Sequence, residues 1–341
     1  MDMIAIEAIK NLSDGDSFKT RAAVMEVVQK QGKNAKPYWE MRLMDATGIL
    51  DAKVWSNAKW HVLRDLGEQT PENRWREQSP LEGDFGVRCK GKALGVMGKV
   101  QSYKGQNQYT LSSLFLLDEE EYPLSQFVPS CPVPLQDLEK RFAALLASCG
   151  EPIRGFLEYL FSGERWQRFR DWPAAVSHHH AYVHGLLEHT LGVTQNAVAL
   201  AETYISLGVS LDRDVVLAGA LLHDLGKLQA YTLTPLPEMT VAGNVHDHIA
   251  LGFVELQRLS EEYSLEERIA QHLGHILLSH HGKKEFGSPV MPATVEALIV
   301  AAADNLDFQI FCGLDAVETM AEHEEISEWN RVLERRFWKW R

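Results

Sequence analysis

Hydrophobic and polar residues alternate along the first third of the chain, and the period then changes. Tyr38-Trp-Glu-Met-Arg-Leu-Met44 alternates cleanly, and Ser17–Val28 alternates in part and is rich in β-branched residues, so both are predicted strands. Gln31–Pro37 and Asp45-Ala-Thr-Gly48 are predicted turns, with Ile49–Trp55 as the partner strand. Asn57–Pro80 reads as helix or loop. Phe85–Gly91, Leu94–Tyr103 and Gln108–Ser112 read as further strands, the last two joined by a turn at Lys104–Asn107. Short strands with glycine turns predict a small all-β barrel; an OB-fold fits best, although strand pattern alone does not separate it from an SH3-like barrel. Asp118-Glu-Glu-Glu121, followed by Pro123, Pro129, Pro132 and Pro134, reads as a solvated linker. From Leu135 onward the apolar positions take a helical period: Leu135–Leu146, Ile153–Phe161, Leu186–Leu207, Asp212–Leu225, a helix starting at His246–His248, Leu265–His280 and Ala293–Asp307. The expected architecture is therefore multidomain: a barrel over residues 1–117, a linker over 118–134, an all-α domain over 135–320, and a charged C-terminal helix over 321–341 carrying Trp329, Trp338 and Trp340.

Composition adds class and compartment. The chain has 341 residues, 45% of them hydrophobic and 24% charged, as in ordinary soluble globular proteins. The N-terminus has no basic, apolar leader, and no uninterrupted apolar run reaches the ~18 residues of a membrane helix. Cys89, Cys131, Cys149 and Cys312 are scattered, so a cytoplasmic protein with reduced thiols and no membrane partner is expected. The net charge of −13 excludes a generic nucleic-acid coat. Up to Leu117, however, 17 Lys and Arg face 14 Asp and Glu, whereas the remainder holds 17 against 33. Nucleic acid should then touch the first part, where Lys36, Tyr38, Trp39, Lys53, Trp55 and Tyr103 interleave cations with rings suited to stacking bases. Alternate strand positions point inward, so Trp39, Trp55 and Tyr103 are also core candidates.

Twelve of the fourteen histidines lie between His178 and His281. Among them Leu217-Ala-Gly-Ala-Leu-Leu-His223-Asp224-Leu-Gly226-Lys227 reads as an apolar helix ending in a His-Asp pair. Imidazole and carboxylate together suit a divalent ion such as Zn²⁺, Mn²⁺ or Fe²⁺. Gly226 is expected just past the helix end in a left-handed conformation, and Lys227 as a free cation for a phosphate oxygen.

Two resemblances follow. Gly32-Lys33 through Tyr38, then Leu43-Met-Asp45-Ala-Thr-Gly48 through Trp55, resembles an OB-fold of the tRNA-anticodon-binding type. That resemblance implies a nucleic-acid face over Lys36, Tyr38, Lys53, Trp55 and Tyr103. His189, His223-Asp224 and Asp304 resemble the H…HD…D signature of the HD superfamily of metal-dependent phosphohydrolases. Adding His248, His280 and His281 resembles HD proteins with more than one metal or a His-rich phosphate pocket. His179-His180-Ala, Gly185-Leu-Leu-Glu-His189-Thr, Leu222-His-Asp-Leu-Gly-Lys227, Leu278-Ser-His-His-Gly282 and Ala303-Asp304-Asn-Leu-Asp307 resemble the YhaM-type 3′–5′ exoribonucleases, in which an OB-fold precedes the HD domain. His184 departs from the glycine expected there.

The resemblance implies a metal-dependent exonuclease acting on single-stranded RNA, with single-stranded DNA as a further substrate. The cofactor is expected to be Mn²⁺, with Fe²⁺, Co²⁺, Zn²⁺ or Mg²⁺ as alternatives. Its implied metal ligands are His189, His223, Asp224, His248, His280, His281 and Asp304, and its implied catalytic groups Asp224, Lys227, His179 and His180. An HD-type nucleotide or cyclic-dinucleotide hydrolase and a non-catalytic nucleic-acid binder are the alternatives; oligomeric state is open, a homo-oligomer included.

Overall fold

The computed structural model describes residues 2–32, 35–63, 74–81, 84–103, 106–176, 180–233, 237–321 and 323–340, and its chain falls into two compact units that divide after Ser130. In the first, β1 (Ser17–Gln31), β2 (Pro37–Asp45), β3 (Gly48–Leu63), β4 (Trp75–Gln78), β5 (Ala93–Tyr103) and β6 (Gln106–Leu116) form one sheet in the order β2-β1-β5-β6-β3-β4. β2 also pairs with β3, so five strands close on themselves, with β3 and β6 parallel and the neighbouring pairs antiparallel. This is the connectivity of an OB-fold barrel. The period-2 alternation of β2 sends Trp39, Met41 and Leu43 into the core and leaves Tyr38, Glu40 and Arg42 outside. The Asp45–Gly48 turn anchors α1 (Ile6–Lys10): Asp45 Oδ2 accepts from the Ile6 amide at 2.8 Å, and Oδ1 accepts from the Thr47 amide and hydroxyl. That fixes Ile6 and Ile9 over the barrel end.

Three sequence expectations change here. Phe85–Gly91 is not a strand; α2 (Phe85–Cys89) uses its i, i+4 spacing to bury Phe85 against Trp39 and Trp60 and to bury Cys89. β3 runs on through Asn57 to Leu63 and pairs with β4, where helix or loop was expected. The acidic run is largely exposed, as expected, but it belongs to the first unit and is tied to it by ion pairs. Arg74 pairs with Asp118 and Glu121, Lys92 pairs with Glu119, and Phe127 and Val128 are buried in the same unit.

The second unit is helical: α3 (Leu135–Ala147), α4 (Ile153–Leu160), α5 (Gly163–Asp171), α6 (Gly185–Ser206), α7 (Arg213–Leu222), α8 (Lys227–Ala230), α9 (Val241–Tyr263), α10 (Glu267–Ser279) and α11 (Val295–Glu318). A short antiparallel pair of two-residue strands, β7 (Tyr231–Thr232) with β8 (Glu238–Met239), interrupts them. Asp212, Thr240 and Thr294 cap α7, α9 and α11 with side-chain oxygens, which fixes where those helices begin. α6, α7, α10 and α11 share a core that includes Leu186, Val216, Leu221, Ile276, Leu277 and Val300. α11 is long and apolar enough to cross a membrane by length and composition, yet it carries Asp304 and Asp307 and packs on α6 and α7. The expected C-terminal helix is absent from the described residues; instead Ile326 bridges Trp338 and Asn330 bridges Arg335. The Phe337 ring takes the space that a Cβ at Gly313 of α11 would fill, whereas Trp329, Trp338 and Trp340 are exposed.

Candidate metal centre

The apolar helix α7 stops at Leu222, and His223 and Asp224 follow in a tight turn. Gly226 is right-handed (φ −68°), not left-handed as expected. Its lack of a side chain serves close approach: a Cβ there would overlap the His248 carbonyl oxygen and the Gly252 amide of α9. The turn is thereby pressed against α9.

Four further segments converge on Asp224. His189 of α6 brings Nε2 to 3.3 Å from Asp224 Oδ2 and 3.4 Å from Asp304 Oδ1 of α11. His223 Nε2 lies 3.2 Å from Asp224 Oδ2 and 3.2 Å from His189 Nε2. On the other carboxylate oxygen, His248 Nε2 stands at 3.4 Å and His280 Nε2 at 3.9 Å. His248, His280 and His281 offer ring nitrogens within 4.8 Å of one another, as do the ligand atoms of His189, His223 and Asp224. All of the expected metal-binding residues are therefore brought together, in two groups that meet at Asp224.

Each imidazole is held from behind. The Nδ1–H groups of His223, His280 and His281 donate to the carbonyls of Ala220, Leu277 and Phe286 at 2.7, 2.6 and 2.7 Å. His189 Nδ1 meets Asp307 Oδ2 at 2.7 Å, and His248 Nδ1 meets Asp247 Oδ1 at 2.7 Å. A carbonyl can only accept, so the proton sits on Nδ1 and the Nε2 lone pair faces inward, the tautomer a metal ligand needs.

Asp224 Oδ1, His248 Nε2 and His280 Nε2 are buried with no hydrogen-bond partner, a costly state for three polar atoms aimed at one another. Burial opposes ionisation of Asp224, yet Lys227 and His223 hold its carboxyl well below the usual range. Burial, His281 and His223 together push the His280 imidazole well below its ordinary value, so it is neutral. Burial would likewise lower His189, but Asp224, Asp304 and Asp307 overcome it and raise that imidazole well above its ordinary value. Three carboxylates around one ring mark a place short of positive charge. The donor set, five imidazoles and two carboxylates, fits a borderline divalent cation.

Other expectations resolve differently. Lys227 is not a free cation: it is 6% exposed, and Nζ lies 2.6 Å from Asp224 Oδ2. Burial lowers its affinity for a proton, but Asp224 outweighs this and raises it above the ordinary lysine value. His180 sits behind the centre, with Nδ1 2.9 Å from Glu188 and Nε2 3.5 Å from Asp307. His179 lies outside the described residues. His184 adopts φ +68°, the left-handed conformation that explains a glycine preference, and its Nδ1–H donates to the Arg170 carbonyl at 2.9 Å, away from the centre. Asp307, Asp247 and Glu188 were not singled out as site residues. The signal for Asp307 was its i, i+3 spacing from Asp304, which puts both on one helix face. Nothing in sequence marked Asp247, a non-glycine residue at φ +65°, ψ +154° inside α9.

On the barrel, Tyr38 and Trp55 are cross-strand partners with ring centroids 5.0 Å apart, and Trp55 is 40% exposed. Lys53 lies on the same outward face, its Nζ 3.3 Å from Gln108 Oε1. Lys36 is exposed just before β2, and the Tyr103 side chain lies outside the described ones. Trp39, the sixth member of that interleaved set, is core.

Comparison with known proteins adds to this geometry. Residues 186–309 match the family model described as HD domain. The chain is 30% identical over 308 residues to the 3′–5′ exoribonuclease YhaM of Bacillus velezensis, covering 90% of this chain and 89% of that one. It is 31% identical over 276 residues to the protein of the same name from Bacillus subtilis, covering 80% and 79%. Among solved structures, an OB domain from Methanosarcina mazei aligns with TM-score 0.22 at 18% identity, over 34% of this chain and 84% of that one.

Proposed function

The chain belongs to the family of the 3′–5′ exoribonuclease YhaM, and from that membership we infer that it is a metal-dependent hydrolase removing nucleotides from the 3′ end of single-stranded RNA. The observation that carries the reading at this chain's own residues is the convergence of buried, partnerless Asp224 Oδ1, His248 Nε2 and His280 Nε2 on one spot. We assign His189, His223, Asp224 and Asp304 to hold one divalent ion. His248, His280 and His281, with the second oxygen of Asp224, would hold another. Mn²⁺ is the ion we favour, on the mixed nitrogen and oxygen donors. An ion held there acidifies a water nucleophile towards neutral pH and faces a phosphate oxygen with positive charge.

The protein's own groups do the rest. The carbonyls of Ala220, Leu277 and Phe286 keep the imidazole protons on Nδ1. Lys227 supplies a fixed ammonium beside Asp224, where charge builds on the phosphate. Asp307 orients His189 and also meets His180, so both Asp307 and His180 are positioning residues. The Tyr38–Trp55 face stacks bases of the strand. The cytoplasm is the compartment we propose.

Asp307→Asn should weaken divalent-metal affinity roughly 10- to 100-fold, the usual effect of removing a carboxylate behind a metal-binding histidine. Competition with a metallochromic chelator reads this directly; unchanged affinity would remove Asp307 from the centre. For the activity itself, 5′-labelled RNA should give a descending ladder, and a 3′-blocked oligonucleotide should resist. Equal cutting of blocked and free ends would disprove the direction.

A further inference from the structure

The barrel carries a concave site on a second wall. Around the closed ring of strands, β5 lies across from the seam between β2 and β3 that bears Tyr38 and Trp55. On the outward side of β1, Lys19 and Arg21 face Met97 and Gly95 of β5, and Gly95 in turn faces Phe115 of β6. Together with Arg74, Trp75 and Tyr122 they line a cavity of about 270 Å³.

We propose that this cavity is a second single-strand subsite holding one nucleotide, its base among Trp75, Phe115 and Tyr122 and its phosphate at Lys19 and Arg21. The inference rests on the reading of the chain as an enzyme acting on RNA. Charge selects the ligand class. Arg74 is matched by Asp118 at 3.5 Å and Glu121 at 2.7 Å, whereas among the described residues neither Lys19 nor Arg21 has an ion-pair partner. Two unmatched cations beside aromatic rings, on a chain of net charge −13, favour an anion with a flat aromatic part. Size narrows it further, because the cavity lies just below the roughly 300–1,000 Å³ of larger ligand pockets.

The walls are already built. The Trp75 indole N–H donates to the Leu116 carbonyl at 2.9 Å, the Arg21 guanidinium sits 4.8 Å over the Tyr122 ring, and His61 stacks on Phe115 at 4.1 Å. Gly95 leaves the floor open. Its backbone is not left-handed, and a Cβ there would meet only Leu117 and Phe115 at 3.7 Å, so a side chain is tolerated and would enter the cavity.

The test uses the full-length protein with chelator to stop hydrolysis, and a labelled oligoribonucleotide long enough to reach both walls. Gly95→Leu should weaken its binding about 5- to 150-fold, the loss of one stacked base. Lys19→Ala combined with Arg21→Ala should weaken it and lower the slope of log K against log salt by about 0.7 per lost phosphate contact. Metal-supported hydrolysis of a small generic phosphodiester should stay at the parent rate in both variants, and an unchanged circular dichroism spectrum and melting transition should show that the barrel, which lies in the other unit, is folded. Unchanged oligonucleotide affinity in both overturns the proposal, as does a loss seen only when free 5′-AMP is titrated in place of the oligonucleotide. A parent protein that binds RNA but leaves it uncut would fail the functional reading instead, and the binding comparison would still decide this one.

Discussion

Asp224→Ala is expected to lose divalent metal and to hydrolyse RNA more slowly by over about 10³-fold, beyond the loss from removing a single charge-stabilising donor. Asp224 stands between both donor groups: Oδ2 is 3.3 Å from His189 and 3.2 Å from His223, and Oδ1 is 3.4 Å from His248. Its removal also strands the buried Lys227 ammonium, at a cost of roughly 3–5 kcal/mol to folding. Asp224→Asn keeps the volume and one oxygen, so it separates loss of charge from loss of packing. Metal content and melting temperature should be measured on both variants beside activity. A folded variant with parental metal content and rate would remove Asp224 from the centre.

Tyr38→Ala combined with Trp55→Ala should weaken single-stranded RNA binding roughly 30- to 10⁴-fold, the loss of two stacked bases. The two rings already pack on each other, so neither need be ordered on binding. The metal centre belongs to the other unit, and hydrolysis of a small generic phosphodiester should not change. The helical unit is acidic, which leaves distant nucleotides dependent on the barrel's cations and rings. Anisotropy titrations of short and long oligonucleotides at two salt concentrations would measure this. Equal affinity of variant and parent for the long one would end the strand-holding role of this face.

The parts legible in sequence were those with a long, regular period or a fixed spacing. β2 alternates from Tyr38 to Leu43, and α6 and α7 carry apolar positions over successive turns. The H…HD…D set was legible because its residue types have few other reasons to recur. Short elements were not. α2 holds five residues, so its single i, i+4 pair looks like strand alternation. The ion pairs of the acidic run were not legible because its partners Arg74 and Lys92 are distant in sequence. Lys227 looked free because its burial comes from tertiary packing, not from its neighbours. The C-terminal tryptophans suggested a helix, yet the bridges Ile326 to Trp338 and Asn330 to Arg335, with Phe337 packed at Gly313, set the backbone there. Asp247 had no signal at all, since a positive φ at a non-glycine residue is imposed by its surroundings.

Gly226 bears on the mechanics of the centre. The turn carrying Asp224 and the start of α9 carrying His248 touch through main chain, at Gly226 and Gly252, with no side chain between them. Side chains can change rotamer to absorb a displacement; backbone pressed on backbone cannot. The spacing between these two donors is thus governed by the stiffness of the chain itself. A drift of either segment away from the other would require that packed contact to open first.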